Sequence, residues 1–182
     1  MDSLEEKTLK SEMIFDGKII KVVVDDVILP NGATSKREIV KHPGAVAVVA
    51  ITPANKMVMV EQYRKPLEKA IVEIPAGKIE LGEAPEWTAG RELEEETGYK
   101  TNGLKHLVSF YTSPGFADEL LHIYLAGDLE KQVNPLQADE DEFVNIIEVS
   151  LEEALQLIEE QVICDAKTVY AVQYWQLLEA MK

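Results

Sequence analysis

The sequence predicts an α+β fold, with strands sandwiched between helices in one compact body and a small antiparallel β unit ahead of it. Three observations predict it. The run Ile19 to Leu29 (IIKVVVDDVIL) is rich in β-branched residues and stops at the turn signal Pro30-Asn31-Gly32. Two apolar runs, Val46 to Thr52 and Lys56 to Gln62, flank Pro53-Ala54-Asn55 in the manner of a hairpin. Two later stretches carry helix start and stop signals.

In chain order, Ile19 to Leu29 and its return strand Ser35 to Lys41 make the N-terminal unit, residues 1–44, and the main domain follows as residues 45–182. After the second hairpin, Ile71 to Ile74 is a short strand ending at Pro75-Ala76-Gly77. Next comes a helix from Ala84 to Thr97. Pro85 suits its first turn, Glu86 sits where the helix dipole favours acid, and Gly98 suits the left-handed position after the last turn. Leu104 to Tyr111 and Leu120 to Ala126 are strands joined by Thr112-Ser113-Pro114-Gly115-Phe116-Ala117-Asp118. The polar stretch Gly127 to Glu142 is expected to be mobile without ligand. A strand spans Phe143 to Val149, and Ser150 with Glu153 has capping-box spacing for a helix to about Glu160. A final helix from Asp165 carries Val169, Val172, Trp175 and Leu178 along one side.

At 182 residues, a chain of this size buries roughly two thirds of its unfolded surface without staples. Its one cysteine, Cys164, has no internal partner, and the start MDSLEEKTLKSEM lacks the basic and apolar parts of an export signal. A reducing cytoplasmic setting is expected. Apolar runs such as Ala45 to Ile51 fall far short of the roughly 20 residues that cross a bilayer, so no membrane partner is expected. A formal charge of −15 repels a phosphate backbone, which argues against nucleic acid. A small anionic ligand would need a local positive centre, and a bound divalent cation supplies one.

The informative stretch is Gly77 to Tyr99, GKIELGEAPEWTAGRELEEETGY. On a helix, Glu92, Glu95 and Glu96 stand at i, i+3 and i+4 and share a face, while Glu94 points elsewhere. Three carboxylates so placed repel one another, and Mg²⁺, which takes oxygen ligands while keeping substrate phosphate oxygens in its shell, would relieve that repulsion. The same spacing also describes a solvated acidic face. Arg91 on these grounds is equally an i, i+4 partner for Glu95, and Gly98 a simple helix stop.

Taken whole, the stretch resembles the Nudix box, G-x5-E-x7-R-E-U-x-E-E-x-G-U with U a bulky apolar residue. Gly77, Glu83, Arg91, Glu92, Leu93, Glu95, Glu96 and Gly98 fill the fixed positions without a gap, and Tyr99 is aromatic where the last position is usually aliphatic. The resemblance implies a strand-loop-helix unit in an α/β/α sandwich with a mixed sheet, whose helix holds one to three Mg²⁺ against a diphosphate, with Mn²⁺ or another divalent ion able to substitute. Carried over by position, Glu92, Glu95, Glu96 and the carbonyl of Ala76 are metal ligands, Gly77 lets the backbone approach the ion, and Arg91 with Glu83 holds loop and helix in place.

Substrate choice is read elsewhere. Pro114, 15 residues beyond Tyr99 in SPGFADE, resembles the ADP-ribose pyrophosphatase branch, as do VEQYRKP, EIPAGKIE and KREIVKHPGAVAVVA. That branch implies hydrolysis of ADP-ribose to AMP and ribose 5-phosphate. It also implies that Arg64 contacts the diphosphate, Arg37 and Glu38 the nucleotide, and Glu119 the terminal ribose. The base that activates water falls in ADEDEFV, at Glu140 with Glu142 as the alternative. N-terminal strands exchanged between subunits of a homodimer would complete each partner's site. Each of these residues also has a plain surface or turn role. Competing expectations are a Nudix hydrolase of another nucleoside diphosphate sugar, a non-catalytic ADP-ribose sensor and, more distantly, a metal-storing acidic protein. The complete acid set favours an enzyme. His42, His106 and His122 fit no motif, and the sequence does not select among Phe15, Phe116 and Tyr111 as a stacking partner for adenine.

Overall fold

A computed structural model describes residues 4–137 and 143–181. The chain adopts the α+β class and divides into two compact units, Met1–Gly44 with Phe110–Leu121, and Ala45–Ser109 with His122–Lys182.

The first unit is built on an antiparallel sheet of β1 (Lys7–Asp16), β2 (Lys21–Ile28) and β3 (Thr34–Lys41), in the order β1-β2-β3. The β2–β3 hairpin is the one expected from Pro30-Asn31-Gly32. Its turn is closed by Gly32 N–H to the Leu29 carbonyl at 2.9 Å, with Gly32 at φ 84°, a region that suits a residue without Cβ. β1 is an addition to the expected pair. Its ten residues are all exposed, and the register slips twice, between Thr8 and Lys10 and between Met13 and Phe15. A strand with no buried face has no reason to alternate apolar and polar residues, which is why KTLKSEMIFD carries no period-2 signal. The segment 110–121 joins this unit through Val40 N–H to the Phe116 carbonyl at 2.7 Å and Asp118 N–H to the Val40 carbonyl at 3.1 Å.

The rest of the chain supplies β4 (Ala45–Val49), β5 (Met57–Arg64), a short 3₁₀ turn, β6 (Lys69–Glu73), β7 (Ala76–Lys78), helix α1 (Pro85–Thr97), β8 (Tyr99–Thr101), β9 (Leu104–Tyr111), β10 (Leu120–Ala126), β11 (Leu129–Lys131), β12 (Val144–Val149), α2 (Leu151–Glu159) and α3 (Ala166–Ala180). Four strands pair in the order β7-β4-β10-β9, three in the order β12-β5-β6, and β11 pairs with β8. The expected hairpin of β4 and β5 exists only at its tip, where Ile51 bridges Met57 and Val58 N–H reaches the Ala50 carbonyl at 2.8 Å. Beyond that the two strands part into different sheets. Val46 to Ala50 and Met57 to Val60 are buried throughout, so each strand is covered on both faces and neither needs the other for its whole length. Part of the expected mobile stretch is likewise strand β11, and Gln132 N–H donates to the Gly98 carbonyl at 2.9 Å.

α1 buries Ala89 and Leu93 against Val46, Val48, Ala50, Val58, Tyr124 and Ala126. This contact fixes which face of α1 turns inward and therefore where its glutamates stand. α3 buries Thr168, Ala171, Val172 and Trp175, while Val169 and Leu178 are half-buried. The inward stripe of α3 is thus rotated from the expected one towards smaller residues. No described helix is long and apolar enough to cross a membrane.

α2 opens with the expected capping box: Ser150 Oγ accepts from Glu153 N at 3.2 Å and Glu153 Oε2 accepts from Ser150 N at 2.7 Å. The Ser150 N–H, donated to the Glu153 carboxylate, holds that carboxyl below its ordinary value of 4.5. A lowered native pKa contributes stability that is present above the unfolded value and lost as pH falls through the native one. Ser150→Ala is expected to cost about 1 kcal/mol in denaturant unfolding. The stability gap between wild type and Glu153→Gln should be full above pH 4.5 and close as acid is added. A gap that persists once Glu153 is protonated would contradict the assignment.

Candidate active site

Ala76 and Gly77 sit on β7, paired with Ala47 and Val46 of β4. α1 runs behind them. Pro85 opens α1 and Gly98 closes it at φ 68°, donating its N–H to the Glu94 carbonyl at 2.8 Å. Between those ends, Glu92 and Glu96 turn inward and are only 6% and 4% exposed. Glu96 Oε2 accepts the Ala76 N–H at 2.9 Å. A Cβ built at Gly77 would collide with the Glu92 carboxyl group, so the glycine leaves room for that carboxylate where it now lies, and a larger residue would displace it.

Arg91 gathers the remaining acids. Its Nη1 meets Glu95 Oε2 at 2.5 Å, and its Nη2 meets Glu92 Oε1 at 2.9 Å and Glu83 Oε2 at 3.3 Å. Thr88 Oγ1 donates to the same Glu83 oxygen at 2.8 Å. Burial opposes the charge on Arg91, but the Glu92 carboxylate and the hydrogen bonds to Glu83 and Glu95 outweigh it and raise its pKa. Burial works against the Glu83 carboxylate too, and the bonds from Thr88 and Arg91 nonetheless hold its pKa below 4.5. Arg91 is thus both the i, i+4 partner of Glu95 and the clamp between loop and helix. Glu94 is turned away, 3.7 Å from Lys100.

Among the described residues no three acidic, histidine or cysteine side chains converge closely enough to form a ready-made metal cage. Glu95 faces Arg91 and Glu96 faces the Ala76 amide. The donor set nevertheless suits a hard divalent ion. Glu83, Glu92 and Glu95 share a single guanidinium, with Glu96 one turn of helix further on from Glu92, and the absent Cβ of Gly77 keeps backbone next to carboxylate. A cleft of about 810 Å³ beside α1 has Trp87, Arg91, Glu94, Glu95 and Leu136 among its walls. Of the three expected metal ligands on α1 only Glu95 lines it.

Arg64, at the end of β5, donates Nε and Nη2 to Glu73 Oε2, both at 2.7 Å. Glu73 is 3% exposed, and its other oxygen accepts from Lys167 Nζ at 2.7 Å. Sequence reading missed Glu73, Lys167 and Thr88 as individual residues. Glu73 and Thr88 lie within or beside segments singled out above, whereas nothing in the sequence ties Lys167 to either.

In the first unit, Arg37 binds Glu6 through Nε at 2.8 Å and Nη2 at 2.5 Å, and its Nη1 reaches Ser35 Oγ at 3.0 Å. Glu38 is exposed on β3, opposite Val24. Pro114 is exposed in a turn whose Ser113 carbonyl accepts from Phe116 and Ala117. Glu119 accepts from Thr112 Oγ1 at 2.5 Å and lies 3.6 Å from His42. Burial opposes the charge on Asp118, but Lys41 and the His42 N–H hold its pKa down. Glu140 and Glu142 lie outside the described residues.

Gly77→Ala tests this arrangement. Displacing the Glu92 carboxylate by even about 1 Å should lower turnover roughly 10²-fold and raise the divalent-ion concentration needed for half-maximal rate. Turnover and divalent-ion dependence matching wild type would show that the close approach is incidental.

Comparison with known proteins adds the family. Residues 6–40 match a nucleoside diphosphate sugar hydrolase N-terminal domain. The chain is 66% identical over 178 residues to a methanol dehydrogenase activator of Bacillus methanolicus, covering 98% of this chain and 96% of that one. It is 60% identical over 182 residues to an ADP-ribose pyrophosphatase of Bacillus subtilis (strain 168), covering 100% and 98%. The crystal structure of an ADP compounds hydrolase superposes with a TM-score of 0.85 at 24% identity, covering 100% of this chain and 98% of that one. That likeness speaks for the fold alone. Residues 41–171 match the NUDIX domain. This match extends well past half of the sequence, and it makes the chain a member of the Nudix family of hydrolases.

Proposed function

We propose that this chain hydrolyses the pyrophosphate bond of ADP-ribose, giving AMP and ribose 5-phosphate, with Mg²⁺ as the working ion. The observation that carries the proposal is the burial of Glu92 and Glu96 against the Ala76–Gly77 backbone. Surface acids that only solvate a helix are not placed so. The full-length likeness to a pyrophosphatase named for ADP-ribose supports the substrate.

Glu92, Glu95, Glu96 and the Ala76 carbonyl would hold the ion, whose chemistry there is Lewis-acid polarisation of the diphosphate. Arg91 and Glu83 keep loop and helix in register. Arg64 meets the diphosphate, Arg37 and Glu38 the nucleotide, and Pro114 and Glu119 the side of the terminal ribose. Glu140, or failing it Glu142, takes the proton of the attacking water as its oxygen bonds to phosphorus and the bridging P–O bond breaks.

Two copies assemble through their N-terminal β units, residues 1–44, leaving 45–182 as the catalytic domain. β1 supports this, because Leu9, Met13, Ile14 and Phe15 are each more than half exposed on a strand that buries none of its own residues. A solution mass of one 20.3 kDa chain by light scattering would sink the dimer. Activation of a methanol dehydrogenase is a second reading, favoured by the Bacillus methanolicus relative. A methanol dehydrogenase rate unchanged by this protein would remove it.

The main experiment is a panel of nucleoside diphosphate sugars with Mg²⁺, assayed for released AMP, before and after chelation. Activity that survives exhaustive chelation, or no turnover of any member, would defeat the proposal. Glu96→Gln keeps the shape that accepts the Ala76 amide, so its loss should fall on turnover with the fold intact or slightly firmer. Near wild-type turnover would make the acids a solvated face. At saturating substrate and Mg²⁺, Glu140→Gln or Glu142→Gln should lose roughly 10²-fold if that residue is the base. Full turnover in both would move the base to Glu92.

A further inference from the structure

Arg64 is held by a buried chain of alternating charges that ends at the start of α3. Glu73 Oε2 takes two of the five guanidinium donors of Arg64, and Glu73 Oε1 takes Lys167 Nζ at 2.7 Å. Lys167 Nζ also reaches Asp165 Oδ2 at 2.9 Å. The side chains of Glu73, Lys167 and Asp165 are 4%, 13% and 19% exposed, against 39% for Arg64, so the outer end of the chain is the guanidinium. Asp165 caps α3 by accepting from Thr168 N at 3.2 Å, and Thr168 Oγ1 in turn accepts from Ile74 N at 3.1 Å. The first turn of α3 is therefore fastened to Glu73 and Ile74, three and two positions before Ala76.

We propose that Lys167 is a positioning residue for the diphosphate: by taking one oxygen of Glu73 it leaves Arg64 only partly neutralised and aimed outward at an anion. The proposal rests on the reading that Arg64 meets the diphosphate of a nucleotide substrate. Without Lys167, the buried Glu73 carboxylate has Arg64 as its remaining cation. The guanidinium then closes on both Glu73 oxygens, and a phosphate must compete with a desolvated carboxylate for it. With Lys167 in place, the four groups sum to zero charge; without it Arg64, Glu73 and Asp165 sum to −1, while the guanidinium spends two donors on Glu73 in either case, so the loss is one of positive charge behind the arginine. Lys167 lies 94 residues from Glu73 and touches no substrate in this scheme. Its effect should pass wholly through Arg64.

Steady-state kinetics with ADP-ribose and Mg²⁺ test this on the full chain. Lys167→Met should raise KM about tenfold, the equivalent of one moderate charge contact, with kcat within about twofold of wild type. Lys167→Arg should restore KM. Asp165→Asn, which keeps a good helix cap, should leave KM unchanged or lower it, because Lys167 then serves Glu73 alone. A purely structural lesion would raise KM at both ends of the network, so a raised KM in Asp165→Asn would count against the proposal. In an Arg64→Met background, Lys167→Met should change KM no further. The inference is overturned if Lys167→Met raises KM by the same factor in that background, if it lowers kcat with KM unchanged, or if it has no effect in a folded protein. Wild type that turns over no nucleoside diphosphate sugar would instead defeat the functional reading. The coupling is then decided by the ¹⁵N resonance of the Arg64 Nε–H, assigned through its loss in Arg64→Lys. That resonance should shift in Lys167→Met, and one that stays put would overturn the proposal.

Discussion

Arg91 reaches Glu83, Glu92 and Glu95 at once, and the arrangement of the acids on the face that the α1 core contact sets depends on that one guanidinium. Without it, loop 78–84 and helix α1 would present like charges to each other over distances at which repulsion in a partly buried setting is severe. With it, the loop closes on the helix, the Glu92 carboxylate lies against Gly77, and Glu96 reaches the Ala76 amide. Arginine suits this task better than lysine because its planar fork serves three acceptors from one half-buried position. It does not neutralise the cluster. A hard divalent cation is the kind of ligand that such a carboxylate set accommodates.

Much of the fold was legible because its signals are local. The α1 stop at Gly98 and the Ser150–Glu153 capping box depend on residues a turn apart, and the structure has both where the pattern puts them. The parts that were not legible depend on distant partners. β1 buries no residue and therefore leaves no hydrophobic alternation to read. The separation of β4 and β5 into two sheets is decided by what covers each strand, and a turn at Pro53-Ala54-Asn55 is the same whichever way the strands go afterwards. The inward stripe of α3 likewise answers to its neighbours, favouring Ala171 and Thr168 over Val169 and Leu178.

The candidate site divides along the same line. Glu83, Arg91, Glu92, Glu95 and Glu96 fall within a single helical segment and its leading loop, so their mutual geometry is nearly a property of the sequence. Arg64, Glu73 and Lys167 come from two strands and the last helix. Their meeting requires β5 and β6 to pair and α3 to dock on the strand end, and no spacing rule joins positions 94 residues apart. Thr88 is intermediate, since it stands five residues from Glu83, yet only the bend of the loop brings the two within hydrogen-bonding reach.

The overall charge of −15 makes the local cations matter more. An anionic diphosphate approaching this surface is repelled from most directions, and screening at physiological salt reduces that repulsion beyond about 8 Å without removing it at contact. A lone surface lysine would add little against it, because an exposed ammonium is strongly hydrated and mobile. A guanidinium fixed at its base by a buried carboxylate loses less entropy on binding phosphate, yet a carboxylate that paired with it alone would cancel its charge. Sharing Glu73 between Arg64 and Lys167 resolves that conflict: the arginine is oriented by one oxygen while the second is occupied from behind. An acidic protein can in this way offer a directed positive group at one point without becoming attractive to polyanions elsewhere.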